Sequence, residues 1–188
     1  MATEEAPYTV VNESGGFEIR DYETHILAEI VVDGTREEAG SKAFRKLFNY
    51  ISGENQSRSS IAMTAPVSQE PSGEKIAMTA PVSQQSASGK WAISFMMPAN
   101  YTIETLPIPD DSNITLRQVP AHRIAAVRYS GFWSEKNFLL YKQKLENWIK
   151  ENNLQVIGEP VWARYNSPFS LWFLRRNEIL IPIAIQPK

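Results

Sequence analysis

From Phe17 onward the chain alternates. In FEIRDY, Phe17 and Ile19 flank a charged residue, and in HILAEIVV the residues Ile26, Ala28, Ile30 and Val32 recur at every second position. Side chains two apart share one face of a strand, so two strands with a turn between Asp21 and Thr24 are expected. Asp33-Gly34-Thr35 then supplies a turn and a capping hydroxyl, with Glu37 and Glu38 placed where a helix dipole favours acids. The spacing turns helical there: Ala39, Ala43, Phe44, Leu47, Phe48 and Ile51 form one stripe. A helix is predicted from about Arg36 to about Tyr50, closed by Ser52-Gly53.

WAISFMMP is the next strand, with Trp91, Ile93, Phe95 and Met97 on one face and Pro98 ending it. ITLRQV and RIAAVRY, interrupted by Pro120, predict two more. Phe138, Tyr141, Leu145, Trp148 and Ile149 stand at helical spacing, so a second helix is expected from about Ser134 to about Glu151, ending at Asn152-Asn153. VWARY and EILIPIAI finish the chain. Pro182 cannot donate to a ladder, which predicts an edge position or a bulge for the last strand.

One word occurs twice. IAMTAPVSQ begins at Ile61 and again at Ile76, after the spacer EPSGEK. Each copy alternates like a strand, but identical segments compete for one slot in a sheet. A tandem duplication is therefore expected, with one copy in the core and the other in an extension. Counting one copy, strand-strand-helix-strand-strand is written two times over. That order predicts an α+β fold: two equivalent halves in a distorted eight-stranded antiparallel barrel, with two α-helices outside.

Composition narrows the function. The 188 residues suffice for one domain, read here as 1–188. A net charge of -2, with Arg175-Arg176 as the longest basic cluster, gives no footprint for nucleic acid. No apolar run reaches the roughly 18 residues of a membrane span, and MATEEAPY lacks a signal-peptide pattern, so a cytoplasmic protein is expected. The absence of cysteine removes thiolate chemistry. There is no G-x-S-x-G, no H-E-x-x-H and only two histidines, so no enzyme is expected.

IAMTAPV, WAISFMMPANY, TLPIPDD and ARYNSPFSLWFLRRNEILIPI follow one another along nearly the whole chain, and in this set the sequence resembles the SOUL family of heme-binding proteins. The resemblance implies an eight-stranded barrel with two helices and non-covalent binding of heme or another tetrapyrrole by a soluble carrier or buffer. Small-molecule effector modules of bacterial regulators share the general architecture, so a module for another apolar ligand or a protein partner is the alternative. In some members a His between the Arg and the Tyr of the first strand is the proposed iron ligand; Asp21 stands there between Arg20 and Tyr22. His25 falls opposite the Ile26/Ala28/Ile30 stripe and His122 follows Pro120, so both read as surface residues and no metal ligand is expected. The family's ring-lined helix implies Phe44 and Phe48 as apolar contacts, with Lys42 and Arg45 for the propionates. The two rings alternatively face the barrel. Arg175 and Arg176 read as structural, one of them paired with Glu178.

Overall fold

The computed structural model describes residues 4–58, 73–166 and 169–185. Its elements are β1 Tyr8–Ser14, β2 Phe17–Tyr22, β3 His25–Val32, α1 Arg36–Ser52, β4 Asn55–Gln56, β5 Val82–Ala87, β6 Lys90–Met96, β7 Ile108–Pro109, β8 Ile114–Val119, β9 His122–Tyr129, α2 Glu135–Glu151, β10 Val161–Arg164 and β11 Asn177–Pro182. A 3-10 turn covers Trp172–Leu174.

Nine strands make one antiparallel sheet in the order β1-β2-β9-β11-β10-β5-β6-β3-β8, and β4 pairs with β7 apart from it. The sheet curls into a half-barrel with both helices on its convex side, the expected α+β architecture. The two halves are β2-β3-α1-β5-β6 and β8-β9-α2-β10-β11, and each lends its first strand to the other. β2 pairs with β9, β8 pairs with β3, and β5 meets β10 where the halves join.

The helices form for local reasons. Thr35 caps α1 reciprocally: its hydroxyl accepts from the Glu38 N–H at 3.4 Å, and its own N–H donates to the Glu38 carboxylate at 3.2 Å. Gly53 ends the helix at φ 119°, a left-handed conformation that glycine adopts without steric cost. Ala39, Ala43, Leu47, Tyr50 and Ile51 bury against Ile30, Ile93 and Phe95. On α2, Leu145, Trp148 and Ile149 bury against Ala125, Val127, Ile179 and Ile181, the face that its spacing predicts.

Two features differ from expectation. β1 escaped the sequence pattern because it is largely exposed, carries Val10 and Val11 side by side, and has a bulge between Val10 and Asn12. β11 lies inside the sheet between β9 and β10, not at an edge. Pro182 is its last residue, where a missing N–H interrupts no ladder. The second copy of the repeated word serves both the helix side and the approach to β6: Ile76 donates its N–H to Ile51 O at 2.8 Å and packs under α1, and Val82 opens β5. The first copy lies outside the described residues.

Asn55 clasps the chain just before the second copy, donating to Glu74 O at 2.8 Å and accepting from Glu74 N–H at 2.9 Å. The Ser57 hydroxyl reaches the Glu74 carboxylate at 3.2 Å. Because Ser57 and Glu74 are already neighbours, deleting residues 59–72 and joining Arg58 to Gly73 is expected to keep one cooperative unfolding transition, with stability changed by about 1 kcal/mol or less. Loss of cooperativity in urea denaturation would assign the first copy a structural place.

Candidate functional site

Period two separates the two faces of every strand, and the curl gives both of them work. On β3, Ala28 and Ile30 face α1, whereas His25, Leu27 and Glu29 face the concave side. On β6, Ile93 and Phe95 face α1, whereas Ala92, Ser94 and Met96 do not. The concave side holds a cavity of about 290 Å³. Its apolar wall is built from Ala6, Leu27, Met96, Ile124 and Leu180, and its polar groups include Tyr22, His25, Glu29, Arg117 and His122.

The two histidines are partly buried and meet here, with ring centroids 5.7 Å apart. His122 lies flat on Tyr22 at 5.7 Å, and Tyr22 is its cross-strand partner in the β2–β9 ladder. His25 Nδ1 is 2.9 Å from Glu23 O, and His122 Nδ1 is 2.8 Å from Pro120 O. A carbonyl oxygen only accepts, so each Nδ1 carries the proton and, in the neutral ring, each Nε2 keeps its lone pair. Burial pushes the His25 pKa down; the Glu23 carbonyl works against this, and the nearby charges of His122 and Arg117 add to it. His25 is therefore neutral at pH 7. Arg117 donates to Glu29 at 2.9 Å at the same mouth.

Next to the cavity, a charged network ties the floor together. Arg20 donates to the two oxygens of Glu178 at 2.6 and 3.1 Å and to Glu18 at 2.6 Å. Arg176 donates to Glu178 at 2.9 Å and reaches Glu5 at 3.0 Å, and the Tyr165 hydroxyl donates to Glu178 at 2.9 Å. Burial alone would raise the Glu178 pKa, but the hydrogen bonds and charges of Arg20 and Arg176 prevail and lower it. Arg176 thus has the structural role that its neighbourhood with Glu178 predicts, and Arg175 lies over Trp133 at 4.6 Å. Asp21 is engaged with Arg123, accepting two hydrogen bonds at 2.6 and 2.7 Å, and faces an ion pair in place of a ligand.

On α1, Phe44 and Phe48 stack at 6.0 Å, and Phe44 also meets the edge of Phe95 at 5.3 Å. Phe44 is thereby half committed to the core, whereas Phe48 is 45% exposed. Lys42 and Arg45 are exposed on the same helix, and neither has a hydrogen bond or ion pair among the described residues.

The model of the SOUL heme-binding protein family matches residues 3–182. The chain belongs to that family. Heme-binding protein 2 of Mus musculus is 26% identical over 190 residues, covering 95% of this SOUL-family chain and 87% of the mouse protein. Among solved structures, a hydrolase from Listeria innocua superimposes with a TM-score of 0.59 at 11% identity, covering 93% of this chain and 94% of that one. The C-terminal domain of EcmrR does so with 0.54 at 13% identity, covering 94% and 98%. At such identities the likeness is one of fold alone.

For the SOUL-family chain, the concave cavity is a candidate site that sequence reasoning did not anticipate. Alternation placed His25 correctly, opposite the α1-facing stripe, but that second face is the inside of a curl and not open surface. Among the described residues no group of three or more His, Asp or Glu is arranged to hold a bare metal ion. Two imidazoles beside an apolar wall instead suit a metal that brings its own equatorial ligands, as heme iron does. Among the described residues no helix is long and apolar enough to cross a membrane.

Proposed function

We propose that this chain binds a tetrapyrrole, heme first among them, non-covalently in the concave cavity, and carries it without chemistry of its own. The observation that carries this reading is the pair His25 and His122, each with Nδ1–H held by a backbone carbonyl and Nε2 left for a ligand at the mouth of an apolar cavity. Locking one ring nitrogen in this way orients the other and raises its basicity. Leu27, Met96, Ile124 and Leu180 would hold the macrocycle, His25 or His122 its iron, and Arg117 a propionate. Heme, if bound there, would supply an iron centre able to take a nitrogen ligand. The cavity, near the lower end of the roughly 300–1,000 Å³ usual for ligand sites, would admit the disc by one edge and leave its carboxylate rim near solvent. The chain contains no cysteine to form a thioether with the vinyl groups.

A second seat is favoured by the exposed Phe48 ring stacked on Phe44 with Arg45 and Lys42 on the same helix. Titration with heme and with iron-free protoporphyrin separates the two. For the cavity, His122→Ala or His25→Ala is expected to weaken heme at least about tenfold, equivalent to about 1.4 kcal/mol, and to leave protoporphyrin unchanged. Phe48→Ala and Arg45→Ala should then do nothing. The opposite pattern, both ligands weakened by Phe48→Ala and neither by the histidine variants, moves the site to α1. Equal affinity for every apolar dye would make heme an incidental ligand of a general binding module.

A further inference from the structure

On the helix-covered face, where β9, β11 and β10 run side by side, Tyr129, Asn177 and Arg164 stand next to one another in register. The Arg164 guanidinium lies 4.7 Å from the Trp162 ring and 5.4 Å from Trp133. Arg36, the first residue of α1, lies 5.0 Å from Trp162 and 4.8 Å from Phe138. Cations and rings therefore alternate through the space between the sheet and the starts of α1 and α2.

Neither the charge nor the hydrogen bonding of this cluster closes on itself. Among the described residues the ion-pair partner of Arg36 is Glu135, at 3.1 Å, whose carboxylate is 72% exposed. Arg164 donates to the neutral Gln84 side chain at 2.6 Å and has no carboxylate partner among the described residues. Burial, and then the charge of Arg36, push its pKa down to about 10. Five buried side-chain polar atoms among the described residues lack a hydrogen bond, and all belong here: Arg164 Nε, Trp133 Nε1, Trp162 Nε1, the Tyr129 hydroxyl and Asn177 Oδ1. The Trp162 indole neighbours the Tyr129 hydroxyl, but their approach falls short of a well-aligned bond. Tyr129 feels the charge of both arginines, which places its hydroxyl within the cluster. Three of the five atoms are obligate N–H donors, and buried donors without acceptors are costly unless something accepts from them. Arg164 and Trp133 retain some exposure, so the cluster is reachable from solvent.

We propose that this cluster is an anion site, taking a carboxylate or phosphate group between Arg164 and Arg36, with the Trp133 indole N–H and the Tyr129 hydroxyl as further donors. A guanidinium fork matches two oxygens on one centre, and neighbouring rings exclude water and strengthen the contact. The site lies across the sheet from the cavity and does not depend on what the cavity holds.

The test is calorimetric titration of the full chain with inorganic phosphate and with acetate at constant ionic strength, chloride serving as the balance. Saturable binding of one or both is expected, and the stronger of the two names the ligand class. Arg164→Met, which keeps an apolar stem between Trp133 and Trp162, is expected to weaken it at least about tenfold while heme binding stays unchanged. Trp133→Phe keeps a ring and deletes one donor, and should weaken it severalfold even if Arg164→Met does not fold. Flat titrations of the unmodified chain, or anion affinity unaltered in Trp133→Phe and in a folded Arg164→Met, would overturn the proposal and leave the arginines as packing elements whose neighbours are satisfied by water.

Discussion

Glu178→Gln is expected to destabilise the fold by about 3 kcal/mol or more, read from the urea midpoint at constant slope. Glu178 is 0% exposed and Arg20 1% exposed, and the substitution removes the charge that both Arg20 and Arg176 face. Breaking a buried ion pair from one side leaves an uncompensated charge, which costs about 3 to 5 kcal/mol. Arg20 keeps Glu18 and Arg176 keeps Glu5, so the lower part of that range applies. Replacing both members, as Arg20→Met with Glu178→Leu, should cost less than the single change. The same group predicts a pH dependence. Its folded pKa is depressed below the ordinary glutamate value of 4.5, so its contribution is complete above about 4.5 and is lost as pH falls from there through the folded value. Glu178→Gln should therefore flatten the acid limb of the stability curve. A stability within about 0.5 kcal/mol of the unmodified chain, with the acid limb unchanged, would show that the network contributes no net stability.

Leu145→Ala is expected to cost about 2 to 5 kcal/mol and Lys144→Ala less than about 0.5 kcal/mol. Leu145 is 0% exposed and belongs to the core formed by α2 with β9 and β11, where the surrounding strands cannot collapse into the space a truncated side chain leaves. Lys144 is exposed and lies over the Tyr141 ring at 4.9 Å, an interaction worth little in water. Equal and small effects would mean that α2 packs through another face.

Leu145 is a residue that the pattern along the chain had already sorted, whereas Glu178 was expected only as the partner of an arginine. Helical spacing assigned Leu145, Trp148 and Ile149 to one face, the Thr35 cap and Gly53 stop bounded α1, and alternation paired Ile93 with Phe95 and Ile26 with Ala28. Such features rest on contacts between near neighbours, which the order of residues dictates. β1 was not legible, because an exposed strand needs no apolar alternation; its partner is β2, held through a glycine turn. The interior place of β11 was not legible either, because Pro182 excludes only a mid-ladder position and says nothing about which strands lie on each side.

The candidate site divides in the same way. Side-chain periodicity alone placed His25 on the face opposite the α1 core, and it placed Phe44 and Phe48 together on one helix. Whether that opposite face is solvent or cavity depends on the curl of a nine-stranded sheet, and the curl follows from long-range pairings in which β2 crosses to β9 and β8 crosses to β3. His122 reaches His25 through both crossings: the first sets it against Tyr22, and the second pairs His25 with Val119, three residues before His122. The convergence of Arg36, Trp133, Arg164 and Tyr129 likewise requires α1, α2 and three strands to be in place. No local rule specifies these meetings, because they are settled by which apolar faces the whole chain buries at once.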